Sequence, residues 1–402
     1  MNKINTRFYV PKDMSWDVNN NEYADLTPDD IYVVDKGTIV FNHSFEKTGV
    51  YDENGELCLE SVLLRWGENF PKNASVKLHD TDFIDETVLY LGTGYVFSHF
   101  GHFLTEGIAR FWPLVFPKYK NFKVAIAIKG APDIPSFVRK ILNALGVCDE
   151  NIIVCHKDTT FSRVLIPKQS ANIGVNILPI TKRVYDAIAA GIKKPKIKTY
   201  KKIYMSRSAM NDNRTFGEEK IEKIFEKNGF QIIHPEQIPF EEQIALVKSC
   251  KELAGTAGSA LHLAFFMKPG GRVIQIKRNI SLSDNINIQM MICDVCGLDI
   301  DLIFGSIERT PTYHFTNAPQ IICIIPYMLQ FFKDNDFVYN TSDFVPDLVA
   351  WGKYSTQLRK YKLISLYKKI MNIPIRLIAV FGITKSGREF VREKLKHLFH
   401  TC

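Results

Sequence analysis

Nowhere does the sequence offer the roughly 18 uninterrupted apolar residues that a membrane-spanning helix needs. Its opening stretch, MNKINTRFYVPKDMSWD, has no apolar run that could serve as a secretory signal. The expectation is a chain that starts in the cytoplasm. Paired cysteine motifs are scarce as well: eight cysteines are scattered along 402 residues, and CDVC (Cys293, Cys296) is the one C-x-x-C. Without a second ligand pair it falls short of a structural zinc site, so both thiols are expected to face a core from one helix and the cysteines to be reduced. No G-x-G-x-x-G follows a strand with an acid about twenty residues on, which argues against a nicotinamide-dependent oxidoreductase. Short-period repeats and low-complexity tracts are absent too.

Acidic residues are thin in one region only. From Trp351 onward there are twelve Lys/Arg against two Asp/Glu, so the tail carries about +10 and the rest of the chain about −2. A folded body without basic stripes argues against a nucleic-acid-binding surface. Hydrophobic content of 46% and charged content of 23% are ordinary for soluble proteins, which removes the disordered and fibrous classes. The length is ample for a large core and points to two globular domains.

From Tyr200 the pattern is a regular alternation. KKIYMS reads as a strand, GEEKIEKIFEKNG as a helix closed by glycine, FQIIH as a strand and FEEQIALVKSC as a helix. KELAG, GRVIQI and DIDLIF continue as strands, separated by the helices SALHLAFFM and DNINIQMMICDVCG. Strands alternating with helices predict an α/β fold with a mostly parallel sheet and ligands at the carboxyl ends of its strands. Upstream, KVAIAI, IPSFVRKILNALG and NIIVC form another β-α-β run, preceded by strand-like material between Ile31 and Phe97. The lysine-rich GIKKPKIKTYKK (191–202), broken by Pro195, reads as an exposed connector. The expected domains are 1–192, 193–310 and a C-terminal segment, 311–402.

Four stretches carry chemistry. FSHFGHFLTEGIARFWPL (97–114) places His99, His102, Glu106 and Arg110 in an otherwise apolar segment. His102 and Glu106, four apart, share a helix face, and Gly101 suits a tight strand-to-helix turn. Such a pair beyond a strand's carboxyl end is placed for proton transfer, or else is a satisfied pair that holds two loops together. YMSRSAMNDNR puts Ser206 and Arg207 at the end of a strand and Arg214 in the loop beyond, where two guanidiniums can clamp a diphosphate. AGTAGSALHLAFF sets Gly255, Gly258, Ser259 and Ala260 at a strand-to-helix junction, where backbone N–H groups can approach an anion and small residues also allow close packing. HDTDF (Asp80, Asp82) has a D-x-D spacing that Asp299 and Asp301 repeat, and both pairs read as loop or strand-edge acids rather than metal ligands.

Together FGHFLTEGIARFWPL and the block from IYMSRSAMNDNR through PEQIPFEEQIALVKSCKELAGTAGSALHLAFFMKPGGRVIQI resemble the two signatures of glycosyltransferase family 61, in order and spacing, over roughly residues 88–305. The resemblance implies a GT-B-like pair of Rossmann-type domains facing a cleft, a nucleotide-sugar donor and inversion at the anomeric carbon. Arg207 and Arg214 match the arginines expected near the donor diphosphate, with Ser206 beside them. Gly258, Ser259, Ala260 and Leu261 match the GSAL helix start, and Glu106 falls at the acidic position of the first signature. Many members carry histidine two residues after the glycine matching Gly255; here that position is Ala257, and His262 lies five residues on.

Two readings of function follow. The first is an inverting glycosyltransferase that builds a bacterial surface glycan such as a capsule, acting on a glycan or lipid-linked glycan. Glu106 would be its base, assisted by His102, with Ser206, Arg207, Arg214 and residues 258–262 on the donor; no metal and no bound cofactor would be required. The second is a non-catalytic nucleotide- or glycan-binding scaffold of a polysaccharide-assembly complex. QLRKYKLISLYKKIMNIPIRLIAVFGI, basic and then apolar, suits lying on an anionic membrane at the inner face of the cell, or packing back across both domains as a helix.

Overall fold

The computed structural model describes residues 4–10, 24–40, 47–72, 74–78, 81–93, 97, 99–128, 132–210, 214–278, 288–306, 318–340, 343 and 347–381. Two large sheets organise them. Largely apolar, largely buried runs such as VIQI and LIF mark strands covered on both faces. They form a six-stranded, wholly parallel sheet in the order 231–233, 202–205, 252–256, 272–277, 299–304 and 6–9. The expected helices connect these strands at Glu218–Lys227, Phe240–Ser249 and Ile288–Cys296. Ser259–Phe266 winds as a 3-10 helix instead. Cys293 and Cys296 are buried on one helix, as their spacing predicts.

The edge strand Thr6–Tyr9 comes from the start of the chain, not from the part beyond the lysine-rich connector. It pairs in parallel with Asp299–Phe304, and Arg7 donates to the buried Asp301 carboxylate at 2.5 and 3.1 Å. Arg272 reaches the same carboxylate from the neighbouring strand. No local periodicity connects residues 294 positions apart, which is why the sequence pattern alone assigns this strand to neither sheet.

The other sheet has eight strands and is mixed. Ile152–Cys155, Lys123–Ala127, Asp82–Thr93 and Thr159–Pro167 run parallel in that order, and Ile31–Asp35, Thr38–Val40, Gly49–Tyr51 and Leu57–Cys58 join them antiparallel. The antiparallel part departs from a purely Rossmann-like reading of this unit. Short connections between Ile31 and Cys58 permit hairpins but leave no room for crossover helices.

Both sheets change direction beside their first parallel strand. After Lys202–Met205 the chain builds Gln231–Ile233 on one side and then Glu252–Thr256 on the other; after Asp82–Thr93 it adds Lys123–Ala127 on one side and later Thr159–Pro167 on the other. Such switch points open a crevice at the strands' carboxyl ends. Between the units the core is continuous: Phe100 and Phe137 meet Phe240 with ring centroids 5.9 and 6.2 Å away, and Tyr185 stacks on Phe265 at 4.2 Å. The helix Leu348–Phe381 starts on Asp347, which accepts from the Val349 and Ala350 N–H groups, and buries Ala350 and Tyr354 beside Phe216 and Ile321. Among the described residues no helix is long and apolar enough to cross a membrane.

Candidate active site

The helix Phe100–Thr105 follows the longest strand of the mixed sheet, and its start touches the start of Ser259–Phe266 from the parallel sheet. Gly101 makes that approach possible. A Cβ there would lie 2.4 Å from Ser259 Oγ and 3.1 Å from Ser259 Cβ, closer than side chains pack. The two segments singled out in the sequence, more than 150 residues apart, therefore meet at the carboxyl ends of both sheets.

On the first unit's side, Glu106 is the hub. Its side chain is fully buried and receives Arg65 at both oxygens, Nε to Oε1 at 2.5 Å and Nη2 to Oε2 at 2.6 Å. His102 Nδ1 lies 2.7 Å from Oε2, as the four-residue spacing predicts. Burial raises the Glu106 pKa, but the His102 and Arg65 hydrogen bonds and the Arg65 charge outweigh it and hold the carboxyl below its usual range. An anionic Glu106 only accepts, so Nδ1 carries the proton and Nε2 is the basic nitrogen. The longer approach of Arg65 Nη2 to Nδ1, 3.5 Å, is too weak to reverse that tautomer.

Arg65 has no counterpart in the sequence motifs. It sits at the tip of the hairpin Leu63–Arg65/Glu68–Phe70, which is pinned from the end of Thr159–Pro167: Gln169 accepts from Leu64 N at 2.8 Å and donates to Ala171 O. Arg110 holds the approach to that hairpin. Buried over the Tyr90 ring, it donates to the Glu60 and Val62 carbonyls at 2.7 Å each, and burial pushes its pKa down to about 10. Arg110 is thus a strut, whereas the His102–Glu106 pair is both a neutralised network and a half-open one, since 30% of the His102 side chain remains exposed. Sequence reasoning had no means to find Arg65, because a contact 41 residues away leaves no periodic trace.

Across the junction, Arg207 follows the strand Lys202–Met205, and its guanidinium lies against Gly258, where a Cβ would fall 2.9 Å from Nη1. Arg207 N donates to the buried Glu218 carboxylate at 3.1 Å, and the Tyr204 hydroxyl donates to the same group at 3.0 Å. Burial, with the nearby Glu222 charge, raises the Glu218 pKa to about 7. Glu218 is a second residue absent from the motif reading; its place after Gly217, at a helix start, was the available signal. The exposed Arg214 lies near enough for its charge to act on His99, whose pKa is lowered first by burial, then by His102, with a smaller contribution from Arg214.

Not every expected residue faces this junction. Ser206 is buried and donates to Glu222 at 2.5 Å while accepting from Ser208 N, so it shapes the loop. Leu261 is buried in the core beneath Gly255. His262 Nδ1 lies 3.1 Å from Gln289 Oε1, and its pKa is pushed down to about 4 by burial above all, with His102 and His99 adding to the shift. A neutral His262 thus lies within electrostatic reach of both histidines of the first unit. Ala260 is part-buried, and Ala257 N donates to Ile276 O at 2.8 Å.

Of the D-x-D acids, Asp80 lies outside the described residues, Asp82 pairs with Lys157 at 2.6 Å, Asp299 accepts from Asn5 and Asp301 is held by Arg7 and Arg272. Among the described residues no group of three or more His, Cys, Asp or Glu is gathered as metal ligands.

No curated protein matches the chain. A family model does, the one described as Glycosyltransferase 61, over residues 100–274. Its span opens in the helix that carries His102 and Glu106 and closes in the strand Arg272–Lys277, so it takes in both faces of the junction except Arg65 and His99. By that match, residues 100–274 are similar to glycosyltransferase family 61.

Proposed function

We propose that the protein is an inverting glycosyltransferase that moves a sugar from a nucleotide-sugar donor to a hydroxyl of a bacterial surface glycan such as a capsule. Its two α/β units would act as a GT-B-like pair, with the acceptor on the side of residues 1–192 and the donor on that of 193–310. One observation carries the reading: the Gly101–Ser259 contact sets a histidine–carboxylate pair opposite a strand-end arginine at a switch-point crevice. The similarity of residues 100–274 to that family points to a glycosyl donor and acceptor in general terms.

Glu106 was the residue expected to take the acceptor proton. Its burial and its bonds to Arg65 favour a different division of labour. His102 Nε2 takes the proton from the attacking hydroxyl, and Glu106, fixed by Arg65, stabilises the imidazolium through Nδ1–H. The oxygen attacks the anomeric carbon on the face opposite the leaving nucleoside diphosphate, which gives inversion. Arg207 and Arg214, with the backbone from Gly258, meet the charge that grows on the departing phosphate. In this reading fixed cations do what a divalent ion does elsewhere, so transfer should survive EDTA. Loss with EDTA that Mn²⁺ restores would return Asp80 and Asp82 to the mechanism.

Binding of nucleoside diphosphates by isothermal titration tests the donor side. Arg207→Ala should weaken it by roughly 1.5 to 3 kcal/mol, as expected for a charge-assisted contact. Arg207→Lys should recover only part of that, because an ammonium lacks the guanidinium fork. If UDP, GDP, CDP and dTDP all fail to bind the intact protein at millimolar concentration, the scaffold reading replaces this one.

A further inference from the structure

The hairpin that delivers Arg65 to Glu106 also holds up an aromatic ring. Trp66, next in the chain, is 63% exposed and adopts a left-handed backbone conformation with φ of 53°. A bulky side chain in that region is an outlier that the surrounding structure must enforce. Here it is enforced from a second segment. Trp66 N donates to Ile173 O at 2.8 Å, Gly67 N donates to Asn172 Oδ1 at 3.4 Å, and the Phe70 ring meets the indole at 6.4 Å, edge on. Gly174 completes the seat, for a Cβ there would lie 2.4 Å from Trp66 Cδ1. The Arg65 guanidinium lies 5.4 Å from the indole centroid while it grips Glu106.

Packing does not explain a tryptophan that is fixed in position and left in water. An exposed aromatic ring that is held rigid beside one charged group, Arg65, suits a ligand with an apolar face and a polar rim. A pyranose ring is such a ligand: its axial C–H groups lie against the π face while its hydroxyls turn to polar neighbours. We propose that Trp66 is an acceptor subsite, its indole stacking on a sugar ring of the acceptor so that the hydroxyl to be glycosylated lies beside His102. The inference rests on the glycosyltransferase reading and adds to it a class of ligand and the residue that selects it.

Trp66→Asn is the informative variant, because asparagine tolerates the left-handed backbone while removing the ring; Trp66→Tyr keeps an aromatic face. Wild type and both variants would be applied to an array of linear hexose and N-acetylhexosamine oligosaccharides, and in parallel assayed for thermal shifts with UDP, GDP, CDP and dTDP. Retention on the array should fall at least tenfold in Trp66→Asn and largely persist in Trp66→Tyr, with melting temperatures and nucleotide shifts as in wild type. Equal retention by Trp66→Asn, or a wild type that binds a nucleotide yet no oligosaccharide, overturns the subsite. A nucleotide shift lost in Trp66→Asn with glycan retention intact overturns it too, and assigns the ring to the donor base. If the wild type binds neither class of ligand, it is the glycosyltransferase reading that fails.

Discussion

Arg65 and Glu106 are each other's condition for being where they are. The carboxylate is fully enclosed, and the guanidinium only 17% exposed. Breaking a buried pair by removing one partner typically costs about 3 to 5 kcal/mol, because the other charge is left uncompensated. Arg65→Met should therefore lower unfolding free energy by about 3 kcal/mol in urea titration, the smaller figure reflecting the remaining His102 bond. Replacing both partners, Arg65→Met with Glu106→Leu, should recover much of the loss. If the single variant unfolds at the wild-type midpoint, the pair is not the structural hub described. Glu218 behaves differently, since its folded pKa of about 7 lies above the ordinary 4.5. The folded chain then holds this proton more tightly, so the contribution of Glu218 to stability is greatest below pH 4.5 and is lost as pH rises through 7, by about 3 kcal/mol at most. Glu218→Gln cannot titrate. Its stability relative to wild type should improve steadily from pH 5 to pH 8, whereas parallel curves would show that Glu218 ionises normally.

Among the elements, the junction between Phe100–Thr105 and Ser259–Phe266 has the narrowest tolerance. Gly101→Ala should cost about 1 to 3 kcal/mol through overpacking, and Ser259→Gly added to it should relieve most of that cost, because both close atoms belong to Ser259. Independent, additive effects in a denaturant series would show that the contact is not shared. The C-terminal helix divides at a similar grain. Its first turns are anchored through Tyr354, while Leu363, Ile364 and Leu366 are 67, 55 and 54% exposed among lysines. Truncation after Tyr361 spares the anchor, so the shortened protein should fold normally and yet fail to sediment with anionic vesicles that the full chain binds at low salt. Equal sedimentation of both forms would end the membrane proposal. Most of the parallel sheet was legible in the sequence because its buried strands are short, mainly apolar runs that alternate with helices showing a buried stripe. The pairing of His102 with Glu106 was legible for the same reason, as a local period. Arg65 and Trp66 were not. Their roles depend on a hairpin laid over a helix by Gln169 and Arg110, and nothing in a window of neighbouring residues records that.

For the whole molecule, the edge strand Thr6–Tyr9 imposes an order in time. Asn5 and Asp299, bonded in the finished sheet, are separated by 294 positions. At about 5–20 residues per second of synthesis, on the order of 15 to 60 s pass between the appearance of the first and that of the second. Throughout that interval the strand lacks its partner strand, and an unpaired strand invites pairing with the wrong chain. Arg7 is what makes the wait selective. Its guanidinium is matched by the buried Asp301 carboxylate, so a strand that lacks an acid at that register leaves the arginine unpaired. The strand Thr6–Tyr9 is in this way addressed to a strand made almost 300 positions later, and a buried charge is part of the address.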